Sequence, residues 1–171
     1  GTARFVDVEL DYQPGAGWPA VSAGRGQFGL RGPEFYLSLD EGRLLDSRAS
    51  TVQVRIPDVV LPSKRLLLDG VVDGPAQDVI RFVQQSPLAS RFGGRVERLA
   101  FDGTAQTRVK LDLVFTGPVK STQVSGSTQL AGNALAIAGS GLTVQELRGA
   151  VEFGQRGLSA KAVQARLFGG P

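Results

Sequence analysis

The sequence predicts a mainly β, antiparallel chain with one short α-helix packed on its sheet, and three observations carry that prediction. Apolar and polar residues alternate with period two in run after run, turn residues separate the runs, and only residues 71–92 carry a helical stripe. Val6, Val8, Leu10 and Tyr12 alternate with Asp7, Glu9 and Asp11, and Phe35, Leu37 and Leu39 with Tyr36, Ser38 and Asp40. Val52, Val54 and Ile56 alternate with Gln53 and Arg55 up to Pro57, and Val109, Leu111, Leu113 and Phe115 with Arg108, Lys110 and Asp112. Each run has one wet and one dry face, as antiparallel strands do and doubly buried parallel strands do not. Pro14-Gly15, Gly32-Pro33, Gly117-Pro118, Gly132-Asn133 and the stretch from Gly139 to Gly141 read as turns, which divides the chain into about ten to twelve strands.

The helical stretch has its own local logic. Gly74 is placed to cap, Pro75 suits a first helical position, and Gln77 and Asp78 fill the first turn. Val79, Ile80, Phe82 and Val83 make one apolar stripe, with Asp78, Arg81, Gln84 and Gln85 on the other side. Ser86-Pro87 breaks the helix, because proline disfavours a helical residue before it, and Gly93-Gly94 ends the segment. The expected insertion is therefore 74–92, flanked by strands from Leu66 to Gly74 and from Leu99 to Thr107.

A chain of 171 residues with 42% hydrophobic content reads as one β-rich segment, 1–171. The absence of Cys and His removes disulfides, thiolate metal sites and the commonest general base, and no cofactor is expected. A net charge of +3, spread without like-charge runs, is a solvated surface and not a nucleic-acid patch. No stretch approaches the roughly 20 apolar residues of a membrane span. The chain starts at Gly1-Thr2 without methionine, as a piece of a longer protein would.

Catalytic patterns are weak. The run from Gly24 to Gly29 fits GxGxxG, but a strand follows it where a dinucleotide site needs a helix. Ser63-Lys64 and Ser159/Lys161 read as turn and surface residues, and the acidic pairs Asp40/Glu41 and Asp69/Asp73 as solvated strand ends, so no enzyme is expected. A faint repeat relates Leu30-Arg31-Gly32 to Leu130-Ala131-Gly132, and Leu68-Asp69-Gly70 to Phe101-Asp102-Gly103. If genuine, it describes stacked strand units that extend a sheet.

The dry faces remain. Two architectures fit them: a β-sandwich with a closed core, acting as a structural or protein-interaction domain, and a curved sheet with an open apolar groove. The residues by themselves favour the closed core.

Longer motifs favour the other. Leu68-Asp69-Gly70-Val71-Val72-Asp73-Gly74-Pro75, leading into Val79-Ile80-Arg81-Phe82-Val83 and Ser86-Pro87-Leu88, resembles a strand–helix segment of the YhdP family, the large AsmA-like proteins of the Gram-negative envelope. Leu10-Asp11-Tyr12 with Trp18-Pro19 resembles that family's LDY…WP element. The tail from Leu147 through Phe153, Gly157-Leu158-Ser159-Ala160 and Leu167-Phe168-Gly169-Gly170-Pro171 resembles its ending. The resemblance implies an extended, curved antiparallel sheet within a periplasmic protein anchored in the inner membrane. Its implied partners are phospholipid acyl chains, shielded in an apolar groove between the inner and outer membranes. Hiding roughly thirty CH₂ groups from water at about 0.8 kcal/mol each removes a barrier of about 24 kcal/mol.

On this reading Val6, Val8, Leu10, Val52, Val54, Ile56, Val109, Leu111, Leu113 and Phe115 line the lipid-contacting face. Val79, Ile80, Phe82 and Val83 pack the helix onto the sheet or gate the groove. Exposed sheet edges make edge-to-edge self-association an expectation.

Overall fold

A computed structural model describes residues 1–11, 17–117, 120–155 and 157–168. Tyr12, the turns expected at Pro14-Gly15 and Pro118, and residues 169–171 lie outside the described residues.

The alternating runs fold into β1 (Thr2–Leu10), β2 (Val21–Arg31), β3 (Glu34–Leu44), β4 (Ser47–Ile56) and β5 (Arg65–Pro75). A helical excursion follows, with α1 (Gln77–Gln84), a π-helical turn (Ala89–Gly93) and α2 (Gly94–Val96). The chain then resumes as β6 (Leu99–Asp102), β7 (Thr104–Val114), β8 (Ser121–Ile137), β9 (Leu142–Gly154) and β10 (Gly157–Phe168). All belong to one ten-stranded antiparallel sheet in the order β1-β2-β3-β4-β5-β7-β8-β9-β10, with β6 beside the far end of β8. β6 and β7 are thus one line of strand, interrupted at Gly103 (φ +84°).

Among the described residues no second sheet covers the dry face, so the closed core favoured by the residues alone is not what forms. The accessible surface of 10115 Å² exceeds the about 8,000 Å² expected of a compact monomer of 18.0 kDa. Among the described residues only Leu39 and Leu113 are large side chains buried to within 2%.

Bulges bend the sheet. Register shifts fall between Phe5 and Val8, Ser22 and Arg25, Ser50 and Gln53, and Lys161 and Gln164. At their centres Asp7, Ala23, Thr51 and Ala162 take φ between 51° and 56°. An extra residue in that conformation leaves its strand unpaired locally and increases bend and twist.

Several local expectations are corrected. Gly74 and Pro75 end β5, and Ala76 precedes the helix. Pro75 is tolerated there because β4 pairs no further along β5 than Asp73. Gly93-Gly94 does not end the segment, since helical structure continues to Val96. Gly132-Asn133 lies within β8, not in a turn. The faint repeat has no structural counterpart: residues 30–32 enter the β2–β3 turn, whereas residues 130–132 lie mid-strand opposite the Gly103 interruption.

Asn133, the only asparagine in the sequence, holds that interruption together. It is 3% exposed. Its Nδ2 donates to the carbonyls of Asp102 (3.0 Å) and Thr104 (2.8 Å), and its Oδ1 accepts from the Ala131 N–H (2.9 Å).

Candidate binding groove

Cross-strand register turns the local alternation into continuous rows. On the inner face Phe28 pairs with Leu37, Leu37 with Val54, Val54 with Leu68, Leu68 with Leu111, and Leu111 with Val124. This unbroken apolar row crosses β2, β3, β4, β5, β7 and β8, and five inter-strand steps make it about 24 Å long. A second inner row runs Ala49, Val72, Thr107, Thr128, Val151 and Ala160, reaching β10. Its two buried threonines satisfy each other, hydroxyl to hydroxyl, at 3.0 Å.

The residues that alternate with these inward ones along each strand face outward, and most are polar. Gln27, Ser38, Gln53, Asp69, Lys110 and Ser125 form one outer row. Arg65 grips Asp112 through Nε (2.8 Å) and a terminal nitrogen (2.5 Å). That hydrogen bond holds the Asp112 carboxyl below its ordinary range against the opposing effect of partial burial, and raises Arg65. Asp69 pairs with Arg108 (3.1 Å), Lys161 with Glu152 (2.9 Å), and Glu41 with Arg25 (2.5 Å), so three of the sequence's catalytic candidates are engaged in cross-strand ion pairs.

Over β1 to β5 the inner face forms a groove of about 310 Å³. Leu10, Val21, Phe35, Leu37, Leu39, Val52, Val54, Ile56, Leu66 and Leu68 line it, with Glu9 and Asp11 beside them. Over β5 to β8 the same face is covered. Trp18, from the β1–β2 connection, is buried with Leu66, Leu111, Leu113 and Val124, and Phe82 and Leu88 of the helical excursion pack against them. The Trp18 and Phe82 rings lie 5.8 Å apart.

Glycine supports the inner face by what it leaves out. A side chain at Gly26 would meet the Phe5 ring and the β3 backbone, and one at Gly126 would meet the Phe153 ring and the Arg108 carbonyl. This accounts for part of the GxGxxG match: Gly26 leaves room for an aromatic cover, and no helix follows.

Most residues expected on the inner face are there. Val52, Val54, Ile56, Leu10, Val109, Leu111, Leu113 and Phe115 belong to the two apolar clusters or pack against them. Val8 is half-buried and pairs with Gly24. Val6 is the exception, 70% exposed, because the bulge at Asp7 shifts the phase and turns Phe5 inward in its place. In the helix Ile80 is buried, Phe82 reaches the cluster, and Val79 and Val83 are half-buried.

Asp78 does not face away as the helical pattern suggested. It is 5% exposed and accepts from Ser47 Oγ (2.6 Å), the Asp46 N–H (3.0 Å) and Arg81 (2.9 Å). Arg81 also donates to Asp46 (2.5 Å), and that bond, more than the contact with Asp78, raises the guanidinium's pKa. Sequence reading missed Phe5, Trp18, Leu66 and Leu68. The Leu66-Leu67-Leu68 run hides its own alternation, and nothing local indicates where Trp18 goes.

An open, curved antiparallel sheet with one apolar face defines a groove module whose lining is apolar and carries few convergent polar groups. The chain belongs to the YhdP family, whose model, described as YhdP protein, matches residues 1–171. It is similar to the intermembrane phospholipid transporter YhdP of Escherichia coli (strain K12), with 26% identity over 165 residues. The match covers 96% of this chain and 13% of that protein, so the chain spans about an eighth of its relative's length. No solved structure matches the chain.

Proposed function

We propose that this chain is a lipid-carrying segment that shields phospholipid acyl chains in its apolar groove as they move between two membranes. The observation that carries this reading is the row from Phe28 to Val124. The uncovered part of this row, from Phe28 to Leu68, is about 14 Å long, close to the roughly 15 Å depth of one leaflet's hydrocarbon, so most of an extended acyl chain fits along it.

The groove offers little to recognise a head group. Its lining is aliphatic and aromatic apart from Glu9 and Asp11, which suits a ligand that slides and is not held at a fixed point. The similarity to an intermembrane phospholipid transporter supports the same role. We place the chain within a periplasmic protein anchored in the inner membrane and reaching toward the outer one. The edges of β1 and β10 are the places where this sheet would continue into neighbouring strands or pair with a second copy.

A photoreactive residue at Val54, in the protein that carries this chain, tests the reading. Irradiation in cells is expected to yield a covalent phospholipid adduct at Val54 and none at outward-facing Gln53. Equal labelling at both positions, or none at Val54, would overturn it.

A further inference from the structure

The groove does not run freely along the sheet. Its open part ends on Leu66 and Leu68 of β5, and the next strand's Leu111 and Leu113 lie under the cluster containing Trp18 and Phe82. An acyl chain moving in the direction of strand stacking, from β5 toward β7, meets those two rings.

Neither ring belongs to the sheet ladder. Trp18 sits in the β1–β2 connection and Phe82 in α1, so displacing both breaks no inter-strand hydrogen bond. The helix is weakly built for a permanent wall. It has 8 residues and no side-chain cap at Ala76, and a helix that short is marginal without tertiary support.

Its attachments are also unequal along its length. The N-terminal end is fixed: the Ala76 N–H donates to the Gly103 carbonyl, Gln77 Oε1 accepts from the Phe101 N–H at 2.7 Å, and Asp78 is buried against Ser47. One turn further on, Ile80 is buried and Phe82 and Leu88 pack on the apolar cluster, while the polar link is the Arg81–Asp46 ion pair to the β3–β4 turn, with side chains 37% and 66% exposed. Exposed pairs of this kind hold weakly. Beyond Gln84 the chain passes into an irregular π-helical turn.

We propose that Trp18 and Phe82 form a gate across the groove, and that α1 is its lid, hinged at Ala76–Asp78 and latched by Arg81 to Asp46. The proposal rests on the lipid-carrying reading above. Closed, the gate separates an apolar compartment over β1–β5 from the inner face of β8–β10. Open, it joins them.

The test uses the protein that carries this chain, in cells, with a photoreactive residue at Val54 or, separately, at Val151 on the inner face beyond the gate. The readout is the ratio of phospholipid adduct at Val151 to that at Val54. Phe82→Ala removes the ring contact and is expected to raise the ratio about threefold to tenfold. Arg81→Gln, which lines no part of the groove, is expected to raise it by less, and it decides the matter if the Phe82→Ala protein fails to accumulate. An unchanged ratio with a normal Val54 adduct overturns the gate and leaves the lipid reading standing. Loss of the Val54 adduct in the parent protein overturns both.

Discussion

Replacing Val54 by aspartate puts a carboxylate in the middle of the groove floor, between Leu37 and Leu68 and in contact with both apolar clusters. The side chain at 54 is half-buried, so water can still reach the new charge. An acyl chain laid over it would remove that water. Placing an aspartate against hydrocarbon costs about 2.5–3.5 kcal/mol, which lowers occupancy about 60- to 300-fold. Gln53→Asp is the matched control, because one residue along a strand reverses the face, and position 53 is exposed on the outer side. The assay places a photoreactive residue at Leu37, directly across from Val54, and measures phospholipid adduct at subsaturating lipid. Val54→Asp should nearly abolish the adduct, Val54→Ala should reduce it only a few-fold, and Gln53→Asp should leave it unchanged. Val54→Asp labelling within twofold of the parent, or an equal loss from Gln53→Asp, would refute the assignment of faces.

Three further outcomes follow from packing and charge. Asn133→Ala removes three part-buried hydrogen bonds to the Ala131 N–H and the Asp102 and Thr104 carbonyls, so denaturant unfolding should show a loss of about 1–3 kcal/mol. Gly126→Ala should lower the melting temperature because its methyl group meets the Arg108 carbonyl and the Phe153 ring. Gly94→Ala, with nothing within 4 Å and helical dihedrals, should be neutral or stabilising by about 0.4–1 kcal/mol. The third concerns acid. Asp112 is held below its ordinary 3.8 by Arg65, so the stability it contributes is present above that value and lost as pH falls through its lower folded pKa. Asp112→Asn should therefore flatten the most acidic part of a stability–pH curve and leave its shape near neutrality unchanged.

Much of the sheet's inner face could be read before folding, and the misses have identifiable causes. Val52, Val54, Ile56, Leu111 and Leu113 sit in regular strand, where period two maps directly to a face. Val6 failed because Asp7 adopts a left-handed conformation and inserts a residue, so the pattern continues with its phase reversed. Asp78 failed because helical periodicity assigns a side but cannot show that the β3–β4 turn supplies Ser47 and the Asp46 N–H to meet a carboxylate there. Gly132 looked like a turn residue because its left-handed conformation is the one turns use. In β8 that conformation serves the break opposite Gly103 instead.

The sequence by itself determined that the chain is antiparallel sheet with one helix and that each strand has a dry side, because alternation and helix periodicity are properties of neighbouring residues. Whether the dry sides close on one another or stay open was decided only by the tertiary structure. Closure depends on which strands pair across long stretches of chain and on how far bulges at Asp7, Ala23, Thr51 and Ala162 bend them. Local composition is the same in either case. The placement of Trp18 over Leu66 and Leu113 is likewise non-local: a single aromatic in a connecting segment has no periodicity to reveal its partner, and only the folded sheet brings Phe82 to meet it.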